Sequence, residues 1–136
     1  MKDILVLCTG NSCRSILAEA IINHLGKERY RAVSAGSFPT GQVHPKSLDI
    51  LKKHGITVDR PLSKSWDEFA DQSFDLVITV CDEAASETCP AFFGKCKRLH
   101  WSTPDPAKVT GSEEDIERAF EEAFQRLKQR VEAELL

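Results

Sequence analysis

A cysteine and an arginine near the start of the chain have the spacing of a site that holds and attacks an oxyanion. Five residues separate Cys8 from Arg14 in the segment Cys-Thr-Gly-Asn-Ser-Cys-Arg-Ser at 8–15. A loop at the N-terminus of a helix can point successive backbone N–H groups into one concavity, which suits a tetrahedral oxyanion. Arg14 adds a planar, permanently charged guanidinium for two of the oxygens. The same positive field favours the thiolate form of Cys8, which indicates attack by sulfur on a phosphate-like centre.

The elements on either side of this segment decide how the pair is interpreted. A cysteine and an arginine at this spacing also occur by chance, with a structural cysteine near a surface arginine. Here an apolar run at 4–7 predicts a buried strand, and apolar residues after the loop recur at helical spacing, at Ile16, Leu17, Ala20, Ile21 and Leu25. This context favours a nucleophile loop. Its oxyanion-binding residues are predicted to be Thr9, Gly10, Asn11, Ser12, Cys13, Arg14 and Ser15.

Length and composition favour a small cytoplasmic enzyme. The chain has 136 residues and a net charge of −3 without a block of Lys or Arg, which gives little support to a nucleic-acid role. No apolar run approaches the roughly 20 residues that cross a bilayer, and no signal peptide is evident. Five cysteines in such a chain indicate reduced or catalytic thiols rather than a disulfide framework. We expect a monomer.

Strand and helix signals alternate along the chain. Predicted strands are 3–8, 30–35, 74–80 and 97–101, and predicted helices are 15–28, 45–54, a short turn near 66–70, and 112–134. This order predicts a single three-layer α/β domain over 1–136, with a four-stranded parallel sheet and helices on both faces. Sites in such sheets lie at the carboxyl ends of the strands. Cys8 ends the first strand and Cys81 follows the third, so both belong at this edge.

Two residue pairs predict helix starts. Ser65 with Glu68 has the pattern of a capping box, and Ser112 with Asp115 is a weaker form of it. In the last helix, apolar residues form one stripe that predicts core packing, at Ile116, Phe120, Ala123, Leu127 and Val131.

Cys81 and Cys89 lie eight positions apart on a predicted short helix or loop. They could be two semi-buried small residues, or zinc ligands. The chain has no Cys-x2-Cys pair, however, and its histidines are scattered over different elements, at His24, His44, His54 and His100. We predict no metal site. Beside a nucleophilic cysteine, a thiol relay explains the pair better, because a second thiol can attack a sulfur adduct on the first and a third can resolve the disulfide.

Asp105 is the candidate acid for the departing oxygen. It follows the fourth predicted strand in the stiff segment Thr-Pro-Asp-Pro-Ala at 103–107, which could reach over the anion site. An aspartate beside proline is equally ordinary in a turn, so spacing alone leaves both interpretations open.

These motifs, taken together, resemble the low-molecular-weight tyrosine phosphatase superfamily, and within it the arsenate reductases of that fold. The matching segments span nearly the whole chain and are Cys-Thr-Gly-Asn-Ser-Cys-Arg-Ser at 8–15, Ala18-Glu19-Ala20, Ser34-Ala35-Gly36, His44-Pro45, Ser63-Lys64-Ser65, Cys81-Asp82, Cys89-Pro90, His100-Trp101 and Asp105-Pro106-Ala107. The octet with a downstream Asp-Pro marks the superfamily, and the cysteine pair with His100-Trp101 marks the reductase branch. Phosphatases of this fold usually carry tyrosines after Asp-Pro, whereas Ala107 follows here, which disfavours a phosphotyrosine substrate.

The resemblance implies a mechanism for arsenate reduction in which no cofactor is bound. Cys8 attacks arsenate held by the loop and by Arg14, while Asp105 protonates the departing oxygen. Cys81 then attacks the Cys8 sulfur and arsenite leaves, after which Cys89 attacks Cys81. The resulting disulfide is reduced by an external thiol, from thioredoxin or from glutathione with glutaredoxin. Phosphate and sulfate would compete with arsenate for the loop.

The resemblance leaves the roles of several side chains open. Asn11, Glu19 and Ser34 match positions that hold potassium in some relatives, but Lys64 stands where those relatives have a further carboxylate. Its ammonium could replace the cation, so we expect no bound potassium, and strong potassium dependence of the activity would contradict this.

The thiol donor and the roles of the other cysteines are also open. The Cys81–Cys89 spacing resembles a branch coupled to glutathione and glutaredoxin, in which Cys89 would be structural, whereas three relay cysteines are typical of thioredoxin-linked relatives. Cys13 is interpreted as a bystander with a protective role under oxidation, and Cys96 as a small strand-edge residue.

Three functions from different classes therefore remain at this point. Arsenate reduction leads. A phosphatase acting on phosphotyrosine or another phosphomonoester is the alternative, because Cys8, Arg14 and Asp105 suffice for it, and a weak phosphatase activity could accompany reduction. A non-catalytic oxyanion-binding redox sensor is third, and it would not need a leaving-group acid.

Overall fold

Four parallel strands form one sheet in the order β2-β1-β3-β4. The computed structural model describes residues 2–8, 10, 13–58, 63–69, 72–80 and 97–136. The strands are β1 (Lys2–Leu7), β2 (Tyr30–Ala35), β3 (Leu76–Thr79) and β4 (Lys97–His100). The predicted four-stranded parallel sheet is confirmed. Because all strands run the same way, the segments that follow them meet at one edge.

Three α-helices pack on one face of this sheet in the described part of the chain. They are α1 (Arg14–Leu25), α2 (Pro45–Lys53) and α3 (Glu113–Glu134). Their buried residues form one cluster with Ile4 and Val6 of β1 and Ile78 of β3. The predicted apolar stripe of α3 faces this cluster. Ile116 packs against it while partly buried, and the other four residues are buried, at Phe120, Ala123, Leu127 and Val131.

The alternate residues of the strands point to the opposite face. Leu5 and Leu7 of β1 pack there with Val77, Ala35 and Phe69. Phe69 ends a short 3₁₀ helix at Trp66–Phe69, which covers this face at the position of the predicted short turn. Both faces of β1 are thus buried, as expected for a central strand of a parallel sheet.

The two predicted capping boxes have different outcomes. Ser112 caps α3 as predicted, because its Oγ accepts from the Asp115 N–H at 3.1 Å while the Asp115 carboxylate accepts from the Ser112 N–H at 3.3 Å. Ser65 differs from the prediction. Its Oγ accepts from the Asp67 N–H at 3.2 Å, and Glu68 donates its own N–H to the Ser65 carbonyl at 3.1 Å. In the tighter 3₁₀ turn the N–H that donates to Ser65 Oγ comes from Asp67, one residue earlier than the Glu68 N–H of an α-helical box.

In the described ranges, no helix is both long enough and apolar enough to span a membrane.

Candidate active site

Cys8 lies at the carboxyl edge of the sheet, directly after the central strand β1. Its N–H donates to the Ala35 carbonyl at the end of β2 at 3.2 Å, which continues the parallel ladder by one residue. Only 4% of Cys8 is exposed. The sulfur is therefore held at the end of a central strand and is shielded from bulk solvent.

The loop that follows Cys8 leads directly into α1, as the sequence predicts. Cys13 occupies the N-cap position without a side-chain hydrogen bond that caps the helix, and its carbonyl accepts the Leu17 N–H at 2.9 Å. Cys13 and Ser15 are buried. Gly10 and Arg14 are also described, whereas Thr9, Asn11 and Ser12 lie outside the described residues. A helix that begins without a side-chain cap can use its first N–H groups for an anion.

Arg14 is held by the loop that follows β4. Its Nη1 donates to the Thr103 carbonyl at 2.9 Å, and its Nη2 lies 3.5 Å from Oδ2 of Asp105. The side chain is only 11% exposed, and its Nε is buried with no hydrogen-bond partner within the described ranges. A buried donor without a partner is costly, so this N–H indicates a place for an acceptor such as an oxyanion.

Asp105 lies beside Arg14, and it also caps a turn. Its Oδ1 accepts from the Ala107 N–H at 3.0 Å at the start of a 3₁₀ helix over Pro106–Lys108. Its Oδ2 faces the Arg14 guanidinium, and the side chain is 21% exposed. The turn interpretation is confirmed, and the position beside Arg14 is compatible with the predicted role as an acid, which stays a prediction. The turn contact fixes one carboxylate oxygen and leaves the other directed toward the arginine.

Thr103, whose carbonyl orients Arg14, was not identified from the sequence. Thr103 is buried, and its N–H donates to the Val80 carbonyl at 3.1 Å, which ties the acid loop to the end of β3. The only feature of the sequence that points to Thr103 is its position two residues before the candidate acid Asp105.

Cys81 and Cys89, which are predicted to form the relay, lie outside the described residues, and so does Cys96. The described chain leads up to them at Val80, which follows β3 at the same edge as Cys8. At this edge Thr79 Oγ1 lies 2.7 Å from Nδ1 of His100, a contact between the ends of β3 and β4.

Glu19 on α1 lines one cleft together with Lys64, at the place where the sequence led us to expect an ammonium instead of a bound cation. Burial raises the pKa of the Glu19 carboxyl, while the charge of Lys64 and hydrogen bonds from Ser34 act in the opposite direction. No group of three or more His, Cys, Asp or Glu residues in the described part of the chain has a geometry that could hold a metal ion.

Glu19 is expected to make the protein less stable as pH rises. The pKa of its carboxyl in the folded chain lies above the value of 4.5 for the free group. Between these two values the folded chain binds more protons than the unfolded chain, so the free energy of unfolding falls as pH increases. Glu19→Gln removes this dependence.

Urea unfolding of wild type and Glu19→Gln across the acid to neutral range tests this expectation. The wild type should lose stability relative to the variant as pH increases. The exposed Glu28→Gln serves as a control for loss of one negative charge. A difference between wild type and Glu19→Gln that stays constant with pH would refute the expectation.

The chain is similar to known proteins over almost its whole length. A family model described as low molecular weight phosphotyrosine protein phosphatase matches residues 3–135. A Bacillus licheniformis protein named arsenate reductase is 38% identical over 136 residues, with 96% of each chain covered. A solved arsenate reductase in the oxidized state matches with a TM-score of 0.80 at 25% identity, covering 98% of this chain and 95% of that chain. A thioredoxin-dependent arsenate reductase of Corynebacterium glutamicum matches with a TM-score of 0.72 at 25% identity, over 98% of this chain and 61% of that chain.

Proposed function

This chain belongs to the low molecular weight phosphotyrosine protein phosphatase family, and we propose that within this family it reduces arsenate to arsenite. The observation that carries the proposal is the buried Arg14 guanidinium, whose Nε has no partner within the described ranges, at the same sheet edge as the Cys8 thiol. The relative from Bacillus licheniformis, which shares 38% of its residues, favours arsenate over a phosphate ester as the anion.

In the first step, the Cys8 thiolate attacks arsenic in arsenate bound by the loop residues Thr9 to Ser15. A sulfur–arsenic bond forms and one arsenic–oxygen bond breaks, while Asp105 donates a proton so that the oxygen leaves as water. Arg14 stabilises the negative charge on the remaining oxygens. The 3.5 Å contact between Arg14 and Asp105 supports this division of roles, because it places the acid beside the group that binds the anion.

In the second step, the Cys81 thiolate attacks the Cys8 sulfur. A disulfide forms between these two residues, and the electron pair of the sulfur–arsenic bond goes to arsenic. Arsenic is reduced from As(V) to As(III) and leaves as arsenite, while the two sulfurs are oxidised. Cys89 then attacks Cys81, which returns Cys8 as a thiolate and leaves a Cys81–Cys89 disulfide. This step rests on the sequence, since Cys81 and Cys89 lie outside the described residues.

An external thiol donor must restore the reduced cysteines to complete the cycle. The solved relative from Corynebacterium glutamicum is thioredoxin-dependent, which supports thioredoxin as the donor. The eight-position spacing of the two cysteines supports glutathione with glutaredoxin. Cys89 is then structural. Glutathione attacks Cys81 of the Cys8–Cys81 disulfide, Cys8 leaves as a thiolate, and glutaredoxin reduces the mixed disulfide. Both donors belong to a reducing compartment, and the cytoplasm is the place we propose for the enzyme.

Hydrolysis of a phosphomonoester is the second candidate function. It needs only the nucleophile, the arginine and the acid, and Arg14 and Asp105 lie together in the structure. The two reactions differ in their use of the second thiol, because a phosphoryl group on Cys8 is released by water and not by attack on sulfur.

Cys81→Ser is therefore expected to abolish arsenate turnover while hydrolysis of an aryl phosphate continues. The assay is arsenate-dependent NADPH oxidation, with the thioredoxin and the glutaredoxin–glutathione systems supplied separately to wild type and variant. The system that supports turnover identifies the donor. Aryl phosphate hydrolysis by the same preparations shows whether the loop of the variant is intact. If wild type shows no arsenate turnover with either donor, and hydrolysis of the aryl phosphate survives in Cys81→Ser, the protein is a phosphatase instead.

A further inference from the structure

The Gly10 carbonyl, inside the anion-binding loop, accepts two hydrogen bonds from outside that loop. Ser63 Oγ donates to it at 3.0 Å, and the Thr40 N–H donates to it at 3.0 Å. A carbonyl oxygen has two lone pairs, so both of its acceptor positions are used. A Cβ atom on Gly10 would lie 3.3 Å from Cγ2 of Thr40, and glycine therefore permits this close approach.

The hydroxyl of Ser63 has a defined direction. Gly41 donates its N–H to Ser63 Oγ at 3.2 Å. An amide N–H can only donate, so the Ser63 oxygen acts as acceptor toward Gly41 and directs its own proton to Gly10. Gly41 has a φ of +86°, in the left-handed region that glycine adopts readily, and this turn presents its N–H to Ser63.

Ser63 is tied to the sheet through the residues that follow it. Gly36, just after β2, donates its N–H to the Lys64 carbonyl at 2.8 Å and accepts the Trp66 N–H at 3.0 Å. These bonds form a parallel bridge between Gly36 and Ser65. The segment that carries Ser63 is thus tied to the end of the edge strand β2 by an isolated parallel bridge.

We propose that Ser63 is a positioning residue for oxyanion binding, which holds the Gly10 carbonyl away from the anion. Gly10 O is directed toward Ser63 and Thr40, on segments that follow β2 at one side of the sheet. The Arg14 guanidinium contacts Thr103 and Asp105, which follow β4 at the other side.

The direction of this carbonyl matters for an anion held in the loop. Hydrogen bonds from Ser63 and Thr40 hold the Gly10 oxygen toward the segments that follow β2, whereas Arg14 contacts the segment that follows β4. A carbonyl oxygen that rotated out of these bonds toward Arg14 would bring a partial negative charge to the anion site, which repels both an oxyanion and a thiolate. The inference rests on the proposed anion site and adds to it a residue from outside the loop.

Titration of inorganic phosphate into wild type and variants by calorimetry tests the proposal. Ser63→Ala is expected to weaken phosphate binding about 5- to 10-fold, since one orienting hydrogen bond is lost. Ser63→Thr retains the hydroxyl and should recover most of the affinity. Ser65→Ala is the matched control, because its hydroxyl lies in the same segment but accepts from the Asp67 N–H.

A second measurement separates positioning from a merely structural role. The rate at which iodoacetamide alkylates Cys8 reports its thiolate form, and its pH midpoint should move upward in Ser63→Ala and stay unchanged in Ser65→Ala. A structural role alone would lower the melting temperature and leave phosphate affinity and this midpoint as in wild type. Should Ser63→Ala fail to fold, Gly41→Ala, which strains the same turn, must weaken phosphate binding in the same direction.

The outcomes distinguish this inference from the proposed function. Wild type that binds phosphate, with Ser63→Ala binding it within twofold as tightly, overturns the role of Ser63 alone. Wild type that does not bind phosphate overturns the anion site at Cys8 and with it the proposed function. A selective loss in Ser63→Ala that Ser63→Thr reverses supports both.

Discussion

Replacement of Cys8 by serine is expected to abolish turnover of both arsenate and aryl phosphates, by about 10⁴-fold or more. A serine hydroxyl is far less acidic than a thiol, so little nucleophile forms in the same field. For arsenate a second barrier exists, because an oxygen–arsenic adduct offers Cys81 no sulfur to attack. Reduction should therefore vanish even where a trace of phosphatase activity remains. Initial rates of NADPH oxidation and of aryl phosphate hydrolysis measure the two losses.

Phosphate binding is the control for Cys8→Ser. Cys8 is buried at the end of β1, and serine has a similar size, so the fold should persist with a cost of about 1 kcal/mol for the polar atom. The loop N–H groups and Arg14 remain, and phosphate should bind within a fewfold of its wild-type affinity. Measurable reduction of arsenate by this folded variant would contradict the proposed sulfur chemistry.

Arg14→Lys is expected to lower kcat/KM for arsenate by about 10²- to 10³-fold, and Arg14→Ala by about a further 10-fold. The guanidinium uses Nη1 on the Thr103 carbonyl and presents Nη2 toward Asp105, while its Nε is buried without a partner within the described ranges. A lysine ammonium is a single point of charge and cannot occupy three directions at once. The phosphate affinity should fall because the guanidinium binds the charged anion. The value of kcat should fall as well, because charge grows on the anion oxygens in the transition state.

Arg126→Lys is the matched control for Arg14→Lys. Arg126 donates its Nε to the Ser102 carbonyl at 3.1 Å, one residue before Thr103, but it lies on the exposed side of α3. This variant makes the same change of side chain at an exposed position and should retain wild-type rates. Arg14→Lys with rates like those of Arg126→Lys would show that the guanidinium fork plays no part in catalysis.

The elements of the fold could be predicted from the sequence because local patterns determine them. β2 has the predicted bounds at Tyr30–Ala35, and α3 begins within one residue of the predicted start. The prediction was less accurate where tertiary contacts end an element. Helix α1 stops at Leu25, because Gly26 caps it and then accepts the N–H groups of Arg29 and Tyr30, both at 2.8 Å. The start of β3 is shortened at Asp75, whose N–H and carboxylate bind the backbone of Asp3.

For the candidate site too, the sequence predicts what lies within one segment and not the contacts between distant segments. The cysteine, the loop and the start of α1 are adjacent in the chain, so their residue types and spacing alone indicate an anion-binding nucleophile. The contact of Arg14 with Thr103 joins residues 89 positions apart, and that of Ser63 with Gly10 joins residues 53 apart. No local pattern encodes such pairs. The strand order decides them, since it places the segments after β2 and β4 on opposite sides of the loop that follows β1.

The sequence by itself thus predicted an anion-binding nucleophile at Cys8 and Arg14, because these residue types stand close together in a local context of strand, loop and helix, while it left the role of Asp105 open. Only the tertiary structure decided how these groups are held. It directs Asp105 and Thr103 toward Arg14, and it directs Ser63 toward the carbonyl of Gly10. The physical reason is that the direction of a donor or acceptor depends on packing between distant segments, and in this chain a parallel sheet brings those segments to one edge.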